Sequence, residues 1–151
     1  MRALCLRTIN SIESKRTRDN RGAVSRQQHI IYAHSTGAKA VRAQHFLGSD
    51  FIISTQVLNE FANVSRAKQK FEWAIISEAI GILVQTARDV IILTPSMSLD
   101  AITLAERYQV HVYDALIVAA ALHAECDTLY SEDMHDGLVI ERRLTIRNPF
   151  T

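Results

Sequence analysis

Beyond residue 50 the apolar positions fall into short continuous runs that alternate with longer stretches of helical period. Residues 51–53, Phe-Ile-Ile, form an unbroken apolar run suited to a strand covered on both faces. Ser54 or Thr55 then offers an N-cap oxygen to a helix starting at Gln56, with Val57, Phe61 and Val64 on one side. Residues 70–87 predict a second helix that stacks Phe71, Ile75, Ala79 and Ile82 inward. The β-branched run 90–93 predicts a second buried strand ended by Pro95, followed by a helix over 98–108 with Leu104, Ala105 and Tyr108 inward. Asp114 opens an almost wholly apolar helix over 115–124, and strands are expected at 128–130 and 144–146.

Upstream the pattern weakens. Ile30-Ile31-Tyr32 reads as a strand end and 40–47 as a short helix, whereas residues 1–28 sustain neither period and read as a weakly structured segment. One domain over 29–151 is therefore expected. Its class is α/β, because strands alternating with helices of ten or more residues build a mainly parallel sheet between helical layers. Such sheets bind ligands at the carboxyl ends of their strands.

Composition narrows the classes. With 48% hydrophobic and 22% charged residues, five Gly and two Pro, the chain is neither disordered nor fibrous. Cys5 and Cys126 form no CxxC pair, so a zinc or redox motif is not indicated and a reducing, cytoplasmic setting is expected. The apolar run 115–122 is far short of the roughly 20 residues of a membrane span, and 3–6 is too brief for a secretory apolar region. The net charge of +1 conceals an asymmetry: residues 1–28 carry seven Lys/Arg against Glu13 and Asp19, while 29–151 carry ten against fourteen acids. A basic arm of that kind either grips nucleic acid or only solubilises the chain.

Three acids stand where chemistry could use them. Glu60 lies at the margin of its helix's apolar face, where a rim glutamate with a packed stem is the plainer account. Asp114 precedes an apolar helix, where it could serve simply as a cap. Asp133 follows a strand end, where it could be only a turn residue. Brought together, the three would repel one another unless a divalent cation neutralised them, and Mg²⁺ suits an all-oxygen shell that retains waters. Such an ion activates water and stabilises the leaving oxygen in phosphodiester cleavage. The six histidines form no HExxH, and Walker, GxGxxG and GxSxG motifs are lacking, so the corresponding chemistries have no fingerprint here.

The phrases that carry these acids are Ser54-Thr55-Gln56-Val57-Leu58-Asn59-Glu60-Phe61, Tyr113-Asp114-Ala115-Leu116-Ile117-Val118-Ala119-Ala120-Ala121 and Leu129-Tyr130-Ser131-Glu132-Asp133-Met134. In order and spacing they resemble the PIN-domain nucleases, especially the VapC-like toxins of toxin-antitoxin pairs. The resemblance implies a three-layer α/β/α sandwich, Mg²⁺- or Mn²⁺-dependent endonucleolytic cleavage of RNA, a small antitoxin partner and a homodimer. It puts Glu60, Asp114 and Asp133 at the family's second, third and fourth acids, with Ser131 as the small hydroxyl residue beside them. Glu132 and Asp136 are lesser alternatives. The first acid departs from the pattern: Arg26 stands at its position and Gln28 at that of the accompanying Asn. The expectation is a PIN-type ribonuclease with impaired activity, and the alternative is an inactive PIN-like module that binds antitoxin or RNA.

Overall fold

A computed structural model describes the backbone of Ala3–Leu6 and residues 51–149. The strand expected at 30–32, the helix at 40–47, and Arg26 and Gln28 lie outside the described residues. Strand β1 is Ala3–Leu6, and β2, Ile52–Ser54, runs without a loop into helix α1, Thr55–Ala67. Helix α2 is Trp73–Thr86, β3 is Asp89–Ile91, α3 is Pro95–Tyr108 and α4 is Val112–His123. Three strands close the chain: β4, Thr128–Ser131, β5, Val139–Ile140, and β6, Leu144–Arg147.

The sheet has the order β3-β2-β1-β4-β6-β5. Strand β2 is parallel to β3 and β4 to β6, and β1 is antiparallel to both β2 and β4. Four strands, β2, β3, β4 and β6, consequently point the same way, as the alternation of elements predicts. Their carboxyl ends gather at one edge, where Ser54 leads into α1 and Ser131 leads into the 132–137 turn. Successive residues of a strand face opposite sides, and Ile52 and Ile53 are both buried, at 7% and 3% exposure. The sheet is therefore covered on both faces, as the α/β layering requires.

Two elements were not anticipated by periodicity, the two-residue strand β5 and the central strand β1. Ala3–Leu6 lies within the segment expected to be weakly structured, yet its backbone is paired from Ala3↔Ser131 to Leu6↔Thr128 on one side and at Cys5↔Ile52 on the other. Four residues between Arg2 and Arg7 are too few for a period of two to register. What fixes them is the requirement that the inner edges of β2 and β4 have a backbone partner.

Local chemistry explains the other boundaries. Ser54 Oγ accepts the Val57 N–H at 3.4 Å, capping α1 at the expected residue. Thr55 Oγ1 accepts the Leu93 N–H at 3.3 Å, which ties the start of α1 to the end of β3. Helix α3 starts at Pro95 rather than at residue 98, because Thr94 caps it and proline is favoured at the first helical position, where no N–H is needed. Helix α2 is rotated from its expected setting: Ile76, Ala79, Ile82 and Leu83 are buried and Ile75 is 41% exposed. Ile75, Ile76, Ile80, Ile82, Leu83 and Val84 give this helix apolar positions around most of its circumference, so the sequence pattern did not fix its rotation. Strand β3 is a half-exposed edge strand, not a buried one.

The turn after β5 holds two consecutive residues in the left-handed region, Glu141 (φ 48) and Arg142 (φ 57). The end of α3 restrains it. Tyr108 Oη accepts the Glu141 N–H at 2.8 Å and donates to Glu141 Oε1 at 3.3 Å, while Arg107 pairs with the same oxygen. The ion pair is exposed and contributes little by itself. Tyr108→Phe is expected to lower unfolding free energy by about 1 kcal/mol, more than Arg107→Ala does. Urea titrations of the two variants check that order, and a larger loss from Arg107→Ala would reverse the assignment.

Candidate active-site cleft

The carboxyl edge of the sheet carries an open cleft of about 530 Å³ between α1 and the start of α4. Helix α1 contributes Gln56, Asn59, Glu60, Asn63 and Val64, and the opposite wall contributes His111, Tyr113 and Asp114. The α1 positions recur at three- and four-residue steps, so they form one face of the helix. Glu60 is half-buried at the margin of the apolar stripe, as its position predicts, and Gln56 Nε2 donates to Glu60 Oε1 at 3.1 Å. The largely buried Gln56 thereby orients one carboxylate oxygen from a turn earlier in the helix.

Asp114 is not the cap of α4. The cap is His111, whose side chain makes no capping hydrogen bond, and Asp114 is the third residue of the helix. There its carboxylate complements the positive end of the helix dipole without being consumed by the cap position. Its half-buried setting across the cleft from Glu60 brings two of the three expected acids into one space.

Asp133 stands apart from that pair. It is exposed in the turn after β4 and is not among the residues lining the cleft. The turn is organised by buried Ser131, whose Oγ accepts the N–H groups of Asp133 and Met134, each at 3.3 Å. Asp136 is engaged elsewhere, its Oδ1 accepting the Asn148 N–H at 2.7 Å to bind the turn to the end of β6. Among the described residues no three His, Cys, Asp or Glu side chains gather closely enough to hold a metal ion. Among the described residues the cleft offers two carboxylates with neighbouring amides, and Mg²⁺ is commonly bound by one or two carboxylates with water completing its shell.

Residues 29–135 match the pattern that defines the PIN domain. The chain belongs to the PIN-domain family. PIN domains are nuclease-type folds, generally dependent on divalent metal and generally binding nucleic acid. The PIN match spans Glu60, Asp114 and Asp133 and begins at His29, after the basic segment. No curated protein matches the chain. Among the described residues no helix is long and apolar enough to cross a membrane.

Sequence reasoning singled out the acids of this PIN cleft and missed its uncharged lining, Gln56, Asn59, Asn63, His111 and Tyr113. A signal for them was present. Gln56, Asn59 and Asn63 lie at −4, −1 and +3 from Glu60 on one helix face, and Tyr113 adjoins Asp114.

Proposed function

We propose that this PIN domain is a divalent-metal-dependent endoribonuclease related to VapC-like toxins, with activity below that of a member retaining all four acids. The observation that carries the proposal is the pair Glu60 and Asp114, opposed across one open cleft within the PIN match. These two residues would hold Mg²⁺ or Mn²⁺. Gln56 fixes an oxygen of Glu60, and Asp114 stands in the first turn of its helix, at the positive end of the helix dipole. Asp133, at the end of β4 on the same edge, is proposed as the third acid that the RNA phosphate and the ion would meet.

Two observations support the reduced activity. By the resemblance, Arg26 stands at the position of the family's first acid. The central strand β1 runs antiparallel to β2 and β4, so its carboxyl end, Leu6, lies beside Thr128 at the edge away from the cleft. A strand in that direction cannot deliver an acid from its carboxyl end to the site. The proposed partners are RNA, a small antitoxin covering the acidic cleft and a second copy of the chain, in the cytoplasm.

The second reading, a PIN-like binding module without catalysis, is favoured by the lack of a three-acid cluster among the described residues. Metal titration separates the two. A metal that binds only the folded chain at 100 times its Kd adds about 2.7 kcal/mol of stability, read as a rise in melting temperature with Mg²⁺ or Mn²⁺. Glu60→Gln with Asp114→Asn is expected to cancel the rise. A parent chain that neither gains stability from either metal nor cleaves RNA in its presence would leave the binding module standing instead.

A further inference from the structure

The cleft offers more than its acids. Tyr113 is 63% exposed, high for an aromatic residue that ordinarily buries most of its ring. It stands next to Asp114 on the wall that faces α1. On the other wall Asn59 and Asn63 are exposed one helical turn apart, about 6 Å along the axis by helix rise. Among the described residues neither amide has a side-chain hydrogen-bond partner, and neither does the Tyr113 hydroxyl. Gln56 differs in this respect, since its amide is already committed to Glu60.

Resting on the nuclease reading, we infer that the Tyr113 ring and the Asn59 and Asn63 amides form a seat for one unpaired nucleobase beside the Glu60–Asp114 pair, and that this seat sets the base preference of the site. An exposed aromatic face stacks on any base, so Tyr113 supplies affinity that is tolerant of sequence. A side-chain amide carries both a donor and an acceptor and can pair with the Watson–Crick or Hoogsteen edge of a splayed base, so the asparagines supply selection. Among the described residues the cleft is lined by the carboxylates of Glu60 and Asp114 and by no Lys or Arg, so the seat suits a base better than a phosphate. A base paired in a duplex presents neither its face nor its Watson–Crick edge, so the seat takes single-stranded RNA.

The test is the binding of four labelled single-stranded homo-oligoribonucleotides of about ten nucleotides, measured by fluorescence anisotropy on an Asp114→Asn background that holds cleavage down. The background chain is expected to prefer one or two of the four. Adding Tyr113→Ala is expected to weaken all four roughly ten-fold, and Tyr113→Phe to restore binding to within about two-fold, because the ring rather than the hydroxyl stacks. Asn59→Ala with Asn63→Ala is expected to bring the four affinities within about two-fold of one another, since removing the paired groups removes the discrimination. Circular dichroism melting of each variant accompanies the titrations, and a loss of affinity or selectivity in a chain that melts as its background does supports the seat. RNA binding unchanged by Tyr113→Ala, or a base preference untouched in the double asparagine variant, overturns this inference and leaves the nuclease reading intact. If the background chain binds none of the four and the parent chain cleaves no RNA, both fall together.

Discussion

Asp114→Asn is expected to reduce metal-dependent RNA cleavage at least about 100-fold, since loss even of a group that only orients a metal ligand commonly costs 10- to 100-fold and a direct ligand matters more. Asparagine preserves the volume of the side chain and its place in the first turn of α4, so the lining of the cleft is retained. What goes is the negative charge opposite Glu60. The part of the structural cost that comes from the helix terminus is small: the favourable interaction of an acid with a helix N-terminus is about 0.3–1 kcal/mol, and His111 rather than Asp114 is the cap. The variant should therefore melt close to the parent while its cleavage rate collapses. The decisive measurement is single-turnover cleavage of a labelled RNA in Mg²⁺ or Mn²⁺, set beside calorimetric melting. A cleavage rate within two-fold of the parent would remove Asp114 from the site and with it the opposed pair on which the assignment rests.

Leu129→Ala is expected to produce the largest loss of stability, about 3–5 kcal/mol. Leu129 is fully buried on β4, and its residue pairs with Cys5 of β1 on one side and Ile146 of β6 on the other. It borders an apolar void of about 10 Å³ lined also by Ile52, Val57, Ile91, Ile117 and Ala121. The atoms removed from Leu129 would enlarge this largely apolar space, and the cost grows with the volume of the cavity left behind. The void beside it leaves the neighbouring side chains already short of contacts, which places the cost toward the upper part of the range. Against a total stability of about 5–15 kcal/mol, this is a fifth or more of the whole, and a fall in melting temperature on the order of 10 °C follows for a chain of this size. Leu129→Met, which conserves volume, should cost less than about 1.5 kcal/mol. Equal losses from the two variants would show that the site does not depend on packing.

The two variants act through different parts of the same edge. Leu129 fixes the position of β4, and β4 ends at Ser131, whose hydroxyl shapes the turn holding Asp133. Of the proposed acids, Glu60 and Asp114 are carried by two helices and only Asp133 by that turn. A partial cavity variant such as Leu129→Val should then lower melting temperature, with any change in cleavage per folded molecule confined to the contribution of Asp133.

Much of the fold was legible because its determinants are local. Ser54 before a helical period, Thr94-Pro95 after an apolar run and the β-branched residues at 90–91 each act within a few residues. The alternation of strand and helix then yields the α/β class and the carboxyl-edge site. Rotation of α2 was not legible, because a helix apolar on most of its circumference has no single inward stripe and only its neighbours choose between Ile75 and Ile76. The cleft was legible in Glu60 and Asp114, acids that are unusual beside apolar runs. It was less so in its amides, which are ordinary on any exposed helix face.

The sequence by itself determined most of the elements from residue 51 onward, β5 excepted, together with their order and the placing of Glu60, Asp114 and Asp133 in PIN-like phrases. The tertiary structure decided that Ala3–Leu6 fills the centre of the sheet in the antiparallel sense, and that Glu60 and Asp114 share a cleft whose lining does not include Asp133. The physical reason is the range of the forces. Caps and periods are read within a turn or two of the chain, whereas backbone pairing across a sheet is nearly blind to side-chain identity and joins residues more than a hundred positions apart, as Ala3 and Ser131 are joined here.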